Sequence, residues 1–350
     1  MRIKIGRKTI GAGRPVFIVA ELSANHNMEY GVAVRTLEAM KAAGADAVKI
    51  QTYTPDTITI DCDSPVFKIK HGTLWDGVTL YGLYKKAYTP WEWQPKLKKL
   101  AEKLGLIFFS TPFDRTAVDF LEKIKVPAYK IASFEITDIP LIEYAASKGK
   151  PMLLATGVSR LEDIKEAVAA CRRAGNRKLV ILKCTSSYPA PYEDANLAVM
   201  ADLASRFGVV TGLSDHTPGI AAPIAAAALG AAVIEKHFIL DRKLGGPDAA
   251  FSLEPAEFKA MVEGVRAAEK AVGRVTYSLS TKALKNRKFS RSLFVVEDIK
   301  KGEALTPKNI RSIRPGDGMP PKNFYEILGK KAAKDLKRGT PLKSNMIARK

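Results

Sequence analysis

Two histidines directly follow short apolar segments in the second half of this 350-residue chain. His216 lies in GLSDHTPG at 212–219, and His237 lies in EKHFILD at 235–241. Imidazole titrates near neutrality and is the commonest metal-binding side chain, so its placement at strand ends suggests chemistry. A single histidine there more often packs or caps the strand. Two at the ends of successive predicted strands favour a shared site, provided that the fold brings those ends together.

Lysines and hydroxyl-bearing residues follow other predicted strands. Lys49 and Gln51 lie two residues apart and therefore point to the same side of a strand. Lysine is almost never fully buried without a partner, so lysines directed at one site imply a bound polyanion. Neighbouring hydroxyls suit a phosphate or a carboxylate. The alternative is that these lysines pair with Glu21, Glu135 and Glu235, and the two interpretations are compatible.

The elements that carry these residues repeat one unit: a short β-branched or aromatic run, a polar tip and an amphipathic helical segment. Eight such units over about 250 residues predict a closed (β/α)8 TIM barrel, an α/β fold whose strand C-termini open on one face. An open doubly wound sheet is the alternative, but no G-x-G-x-x-G follows the first strand. The predicted strands are 16–21, 47–51, 107–110, 128–132, 151–155, 179–184, 209–213 and 232–237. The predicted helices are 29–43, 90–104, 115–123, 139–147, 160–174, 196–206, 219–229 and 255–272.

Composition is ordinary for a globular protein except in its charge. We see no secretory signal and no apolar tract of the ~20 residues that a membrane span needs. Three scattered cysteines fit reduced thiols, so we expect a cytoplasmic protein. Of the formal net charge of +20, residues 274–350 carry +14, from 20 Lys and Arg against 6 Asp and Glu. This region could attract nucleic acid, a membrane or anionic small substrates, and we interpret it mainly as a solvated face that helps to attract anionic substrates.

Two segments depart from the repeating unit. An insertion at 52–89 contains aromatic clusters, which could stack on a sugar or simply pack the loop onto the barrel. The composition changes near Gly273, so we predict a catalytic barrel at 1–273, a linker at 274–290 and a small module at 291–350. Within that module, 298–310 and 335–347 are identical at five of thirteen positions. This repeat predicts a compact, pseudo-symmetric β-rich unit with Arg314 on a turn between its halves.

These motifs together resemble the sialic acid synthase family, in which a phosphoenolpyruvate-condensing barrel precedes an antifreeze-like (SAF) domain. The resemblance covers essentially the whole chain. Within the family, GTLWDGVTLYGLYKKAYTPWEW at 72–93 and NRKFSRSL at 286–293 are most similar to the pseudaminic acid synthases. The other motifs that carry it are AELSANH at 20–26, KIQTY at 49–53, STPF at 110–113, YKIASFE at 129–135, ATG at 155–157, KCTSSYPAPYED at 183–194, the two histidine motifs and SIRPG at 312–316.

The resemblance implies an enzyme that condenses phosphoenolpyruvate with an open-chain acetamido-sugar and water, and releases phosphate. For a pseudaminic acid synthase the sugar is 2,4-diacetamido-2,4,6-trideoxy-L-altrose. N-acetylneuraminate and legionaminate synthases, which act on other acetamido-sugars, are the alternatives. A different phosphoenolpyruvate- or pyruvate-using barrel and a non-catalytic nucleic-acid or glycan binder are the rival classes.

The resemblance also implies roles for individual residues. Glu21 is the expected general acid/base at the sugar aldehyde. His216 and His237 are expected to hold a divalent metal ion, Mn or Mg by resemblance, with Co or Zn allowed by the donor types. A homodimer is implied in which the SAF domain covers the partner's barrel, with no membrane and no nucleic acid as partner. Phosphoenolpyruvate would contact Lys49, Thr111, Lys130, Ser133, Ser186 (where sialic acid synthases often have asparagine) and Ser214, and the sugar would contact Gln51, Glu135, Tyr188, Asp248, Phe289 and Arg314.

Overall fold

A short antiparallel hairpin, β1 (Arg2–Ile5) and β2 (Lys8–Gly11), precedes the repeating units in this computed structural model, which describes residues 1–70, 72 and 74–348. Sequence reasoning did not predict this hairpin. Its Ile3, Ile5 and Ile10 are buried in one apolar cluster with Phe17 and Ile107 from the beginnings of two barrel strands. The hairpin therefore covers the N-terminal end of the barrel and leaves the C-terminal end for chemistry.

Eight parallel strands close into a barrel, which confirms the predicted fold class. Consecutive strands pair in register, with Val19 opposite Ala47 and Ile234 opposite Leu213, and the last strand pairs with the first. Both faces of the strands are buried, as is usual for parallel sheets covered by helices. The barrel strands are β3 (Phe17–Glu21), β4 (Ala47–Thr52), β5 (Ile107–Pro112), β6 (Tyr129–Ile131), β7 (Met152–Ala155), β8 (Leu179–Cys184), β9 (Val210–Asp215) and β10 (Val233–His237).

Helices surround the barrel and pack against the outward-facing strand residues. Their ends follow local sequence signals: Asp114 accepts hydrogen bonds from the first turn of one helix, and Gly105 ends another in the left-handed conformation. The helices of the first 273 residues are α1 (Tyr30–Ala42), α2 (Pro55–Ile58), α3 (Leu80–Ala87), α4 (Gln94–Leu104), α5 (Arg115–Lys123), α6 (Ile139–Ser147), α7 (Leu161–Arg173), α8 (Val199–Phe207), α9 (Ala221–Ala228) and α10 (Pro255–Val272).

The insertion after β4 folds into α2, α3 and short connecting turns. Two of its aromatic rings, Tyr53 and Tyr84, pack against each other and the barrel, and Trp91, just after the insertion, contacts the same segment. The Tyr53 ring lies edge-on to Tyr84 and to Phe113, with centroids 5.6 and 5.1 Å apart, and Trp91 Nε1 donates to the Tyr53 carbonyl at 3.0 Å. His71 lies outside the described residues.

Residues 274–350 form a separate compact unit. The predicted linker includes a short helix, α11 (Thr281–Asn286), which Ser280 caps through its side chain. The rest is built from β11 (Ser292–Val295), β12 (Ile310–Ile313) and α12 (Phe324–Ile327), joined by isolated bridges around a small apolar core. No helix in the described ranges is long and apolar enough to cross a membrane.

The two repeats of this unit contact each other reciprocally. The Asp298 carboxylate accepts a hydrogen bond from the Arg338 backbone N–H, and the Asp335 carboxylate accepts one from the Lys301 N–H, both at 2.8 Å. Each contact is the counterpart of the other, because Asp335 corresponds to Asp298 and Arg338 to Lys301 in the repeat. The predicted pseudo-symmetry is therefore a real property of the fold.

Candidate active site

Two lysines and two glutamates form a buried cluster at the C-terminal end of the barrel. Lys49 Nζ lies 2.6 Å from Glu21 Oε2 and 3.6 Å from Glu235 Oε1. Lys130 Nζ lies 2.7 Å from the same Glu235 oxygen. The four side chains are at most 5% exposed. Each lysine thus has a carboxylate partner, and the formal charges of the cluster cancel.

The two carboxyl groups of this cluster have widely different pKa values. Burial raises the pKa of Glu21 to about 7, although Lys49 partly opposes the effect. Burial also acts to raise the pKa of Glu235, but Lys130 and Lys49 outweigh it and hold that pKa at about 2. Glu21 Oε2 is close to Lys49 yet does not have the geometry of a hydrogen bond. Pairs of acids whose surroundings separate their pKa values in this way are typical acid/base sites.

Hydroxyl groups line the cluster. Thr111 Oγ1 accepts a hydrogen bond from Lys49 Nζ at 3.3 Å. Ser214 Oγ donates to Glu235 Oε1 at 3.1 Å. Thr111 lies on β5 and Ser214 on β9, on different sides of the barrel. Their hydroxyls contact Lys49 and Glu235, respectively, which are themselves in contact.

Ser133 and Ser186 meet across Gly157. The Gly157 backbone N–H donates to Ser133 Oγ at 3.0 Å. A Cβ atom added to Gly157 would lie 2.0 Å from Ser186 Oγ and 2.7 Å from Ser133 Oγ, so a larger residue would displace both hydroxyls. Sequence reasoning assigned no role to Gly157, although its position two residues after the end of β7 was a usable signal. The result is a small cradle of hydroxyls and a backbone N–H, which suits an anion.

The two histidines lie side by side, with ring centroids 5.3 Å apart. His216 Nδ1 is 2.9 Å from the Thr185 carbonyl oxygen, which orients that ring. His237 Nδ1 is buried, has no hydrogen-bond partner among the described residues, and lies 3.9 Å from Asp248 Oδ2. Burial, aided by His216, holds the pKa of His237 well below its usual range, so this imidazole is neutral and can act as a ligand.

Cys184 lies against His216, with Sγ 3.8 Å from Nδ1. Burial alone would raise the pKa of the thiol, but His216 outweighs this and lowers it to about 7. Burial also acts to lower the pKa of His216, but its contact with Cys184 outweighs burial, so the net shift of the His216 pKa is upward. Sequence reasoning missed Cys184, since contact across neighbouring strand ends has no local signal.

Aromatic rings cover the histidine pair. Tyr188 lies 4.5 Å from His216 and 5.7 Å from Trp75 of the insertion, between ring centroids. Phe251, which sequence reasoning did not single out, lies 4.9 Å from His237. Tyr188 therefore links the insertion to the histidines, in contrast to the packing rings of Tyr53 and Trp91.

The remaining barrel residues predicted to contact the sugar lie around this cluster. Gln51 Nε2 donates to Ser23 Oγ at 2.9 Å and is 3.4 Å from Glu21 Oε1. Asp248 is 8% exposed. Burial raises the pKa of Glu135 to about 7, and its buried Oε2 has no hydrogen-bond partner within residues 1–70, 72 and 74–348. Glu135 is thus a second carboxyl group, on a half-buried side chain, that is able to hold a proton near neutrality.

Phe289 and Arg314 belong to the second unit, where both are exposed. Their segments are joined locally, because the Gly316 backbone N–H donates to the Lys288 carbonyl at 2.9 Å. A Cβ on Gly316 would lie 3.0 Å from the Arg287 carbonyl oxygen, which explains the glycine after Arg314-Pro315. The second unit therefore presents the two predicted residues from adjoining segments.

His26 also follows a barrel strand but is a packing residue. Its Nδ1 accepts a hydrogen bond from the Met28 N–H at 3.0 Å, and its Nε2 lies 3.3 Å from Thr89 Oγ1. Burial lowers its pKa to about 4, so it is neutral. A histidine after a strand is thus insufficient by itself to mark the site.

Comparison with known proteins gives consistent matches. The NeuB family matches residues 36–277, and the SAF domain matches 290–348. The pseudaminic acid synthase of Helicobacter pylori is 50% identical over 96% of this chain and 99% of its own. The N,N'-diacetyllegionaminic acid synthase of Legionella pneumophila is 37% identical over 96% of each chain. A crystal structure of N-acetylneuraminic acid synthetase from Leptospira borgpetersenii, in complex with citrate, aligns with a TM-score of 0.73 and 31% identity over 82% of this chain and 95% of that one.

Proposed function

This chain belongs to the NeuB family, and we propose that it catalyses the pseudaminic acid synthase reaction. In that reaction, carbon 3 of phosphoenolpyruvate attacks the aldehyde of 2,4-diacetamido-2,4,6-trideoxy-L-altrose, water attacks carbon 2, and phosphate leaves with cleavage of the C–O bond. The observation that carries the proposal is the convergence of two lysines, a hydroxyl cradle and two histidines on one barrel mouth. The 50% identity to a pseudaminic acid synthase supports the choice of sugar.

The polar groups at the barrel mouth suit phosphoenolpyruvate. Lys49 and Lys130 supply ammonium groups, whose hydrogen bonds to carboxylate or phosphate oxygens are charge-assisted. Thr111 and Ser214 lie next to these ions, and the cradle of Ser133, Gly157 and Ser186 offers further donors. We assign the substrate's anionic groups to this set.

A divalent metal ion fits the histidine pair and would balance the substrate's charge. No group of three or more His, Cys, Asp or Glu among the described residues is arranged to hold an ion. The donor set is nevertheless suitable, because His237 is neutral and has an unpartnered buried nitrogen, and Thr185 orients His216. When bound there, the ion would add positive charge next to the cluster of lysines and glutamates and would lower the pKa of water. Mn or Mg remains our expectation.

Glu21 is the acid/base that we assign to the sugar aldehyde. Its pKa of about 7 lets it hold a proton near neutrality and give it to the oxygen that becomes a hydroxyl. Gln51 lies beside it and would position the sugar, together with Tyr188 and Asp248. Glu135 is the alternative proton donor, because its pKa is raised to the same value.

The second unit would complete the site in a homodimer. Arg314 has a rigid donor fork that suits an amide or carboxylate oxygen. Since Arg314 and Phe289 are exposed and adjoin through Lys288 and Gly316, we propose that they contact the sugar in the partner subunit's barrel. We also propose a cytoplasmic location, which the three free thiols support and cell fractionation would test.

A phosphate-release assay tests the function and the choice of sugar together. Purified protein with Mn²⁺ and phosphoenolpyruvate would receive 2,4-diacetamido-2,4,6-trideoxy-L-altrose, its legionaminic-type relative or N-acetylmannosamine. We expect release with the altrose compound to exceed that with the other two by at least tenfold in kcat/KM, and none without a sugar. A preference for either competitor would reassign the substrate within the family, whereas release with none of them would contradict the proposed reaction.

A further inference from the structure

An ion pair is buried behind the two histidines. Asp215 immediately precedes His216, and Lys236 immediately precedes His237. Because successive strand residues point to opposite sides, the histidines face the barrel mouth while Asp215 and Lys236 face the helix layer. Ile234 of β10 and Phe238, which directly follows that strand, flank Lys236 on the same side and belong to that outer apolar layer.

Lys236 ties together the residues on both sides of His216. Its Nζ lies 2.5 Å from Asp215 Oδ2, and the two side chains are 0% and 2% exposed. The same ammonium donates to the Thr217 carbonyl oxygen. Asp215 in turn accepts hydrogen bonds from the Thr217 N–H and hydroxyl, each at 3.1 Å. One ammonium next to His237 thus fixes the backbone before and after His216.

Stability does not explain why this pair is charged. Burying two ions costs hydration, and replacing a buried pair with apolar residues is often neutral or stabilising. What the charged pair adds is a directional connection between the ends of β9 and β10, which apolar contacts lack. Groups behind metal-binding residues commonly orient them in this way.

We propose that Asp215 and Lys236 are positioning residues that set the separation and orientation of His216 and His237 for the metal ion. This inference rests on the proposed metal site. It requires that disturbing the pair weakens metal binding even where the fold is unaffected.

The test removes both charges with little change in shape, in the full-length variant Asp215→Asn/Lys236→Met. Co²⁺ alone is the probe, and its affinity is measured by calorimetry and its coordination by visible absorption. We expect Co²⁺ affinity to fall about 10- to 100-fold, with an altered absorption spectrum and an unchanged or higher unfolding temperature without metal. Glu143→Gln/Arg173→Met, which removes an exposed pair on α6 and α7, is the matched control and should bind Co²⁺ like the wild type.

A folded Asp215→Asn/Lys236→Met variant with unchanged Co²⁺ affinity and spectrum would overturn the inference. Asp215→Glu covers the case in which the double variant does not fold, since it keeps the charge but displaces the carboxylate; unchanged Co²⁺ binding there would contradict the proposal equally. His237→Ala is titrated in parallel. If it binds Co²⁺ as tightly as the wild type, the proposed metal site is wrong and this inference fails with it. If only His237→Ala loses binding, the positioning role alone is wrong.

Discussion

At the scale of residues, identity and position along the chain offered Glu21, Glu135 and Glu235 as partners for the lysines at the barrel mouth, but not which lysine pairs with which carboxylate. Lys49, Lys130 and Glu21 were candidates from their places at predicted strand ends. Whether Lys130 pairs with Glu235 depends on the stagger of strands distant in sequence, which local patterns do not encode. The same applies to Cys184, whose contact with His216 joins two strand ends.

The raised pKa of Glu21 predicts how stability changes with pH. Burial raises this pKa from 4.5 to about 7, so between these values the folded protein holds a proton that the unfolded chain has lost. The contribution of Glu21 to the free energy of unfolding therefore falls as the pH rises through this window, by roughly 3 kcal/mol. Glu21→Gln should remove this loss, and urea unfolding at pH 5 and pH 7.5 would measure it. An equal pH dependence in wild type and variant would contradict the assignment.

The same proton predicts the activity profile. If Glu21 donates it, kcat/KM should fall as the pH rises above about 7, and Glu21→Gln should lose roughly 10²- to 10⁴-fold in rate together with this alkaline limb. Glu135→Gln is the matched comparison, because burial raises the pKa of Glu135 to the same value. If the alkaline decrease in kcat/KM persists in Glu21→Gln but disappears in Glu135→Gln, the proton donor is Glu135 and not Glu21.

At the scale of elements, the barrel strands and helices were predictable because each repeats a strong apolar pattern with capping residues. The end hairpin β1–β2 was missed because its strands are short and precede the first repeating unit. Helix α11 was missed because its six residues are all at least partly exposed, so that no apolar stripe marks it. The internal repeat placed Asp298 and Asp335 at equivalent positions, but it did not indicate which backbone N–H groups they contact.

The proposed role of Arg314 predicts that the second unit affects sugar binding but not phosphoenolpyruvate binding. In Arg314→Ala, affinity for the acetamido-sugar should fall at least tenfold while affinity for phosphoenolpyruvate stays unchanged, because the lysines and the hydroxyl cradle are all in the barrel. On the proposed homodimer, mixing this variant with His237→Ala should restore about a quarter of wild-type activity, since free exchange would make half of the dimers mixed and each mixed dimer would have one intact site. Activity and native mass spectrometry of the mixture measure this. Exchange without recovery would show that Arg314 does not act in the partner's site.

At the scale of the whole molecule, composition changes near Gly273 from a nearly balanced barrel to a basic C-terminal region. The contacts divide the chain into two compact units after Gly273, and the predicted linker at 274–290 belongs to the second unit. Fold class followed from repetition, whereas the choice of sugar rested on the resemblance of the segments at 72–93 and 286–293 to the pseudaminic acid synthases. The roles proposed for Glu21, Lys49 and the histidines concern the condensation itself and do not select one stereoisomer.

The most direct test of the proposed chemistry is the fate of the bridging oxygen of phosphoenolpyruvate. The protein would be incubated with Mn²⁺, phosphoenolpyruvate labelled with ¹⁸O at the C2–O–P bridge, and 2,4-diacetamido-2,4,6-trideoxy-L-altrose, and the released phosphate analysed by mass spectrometry. Attack of water on carbon 2 with C–O cleavage predicts that the phosphate carries the label and forms only when the sugar is present. Unlabelled phosphate, or release without the sugar, would contradict it.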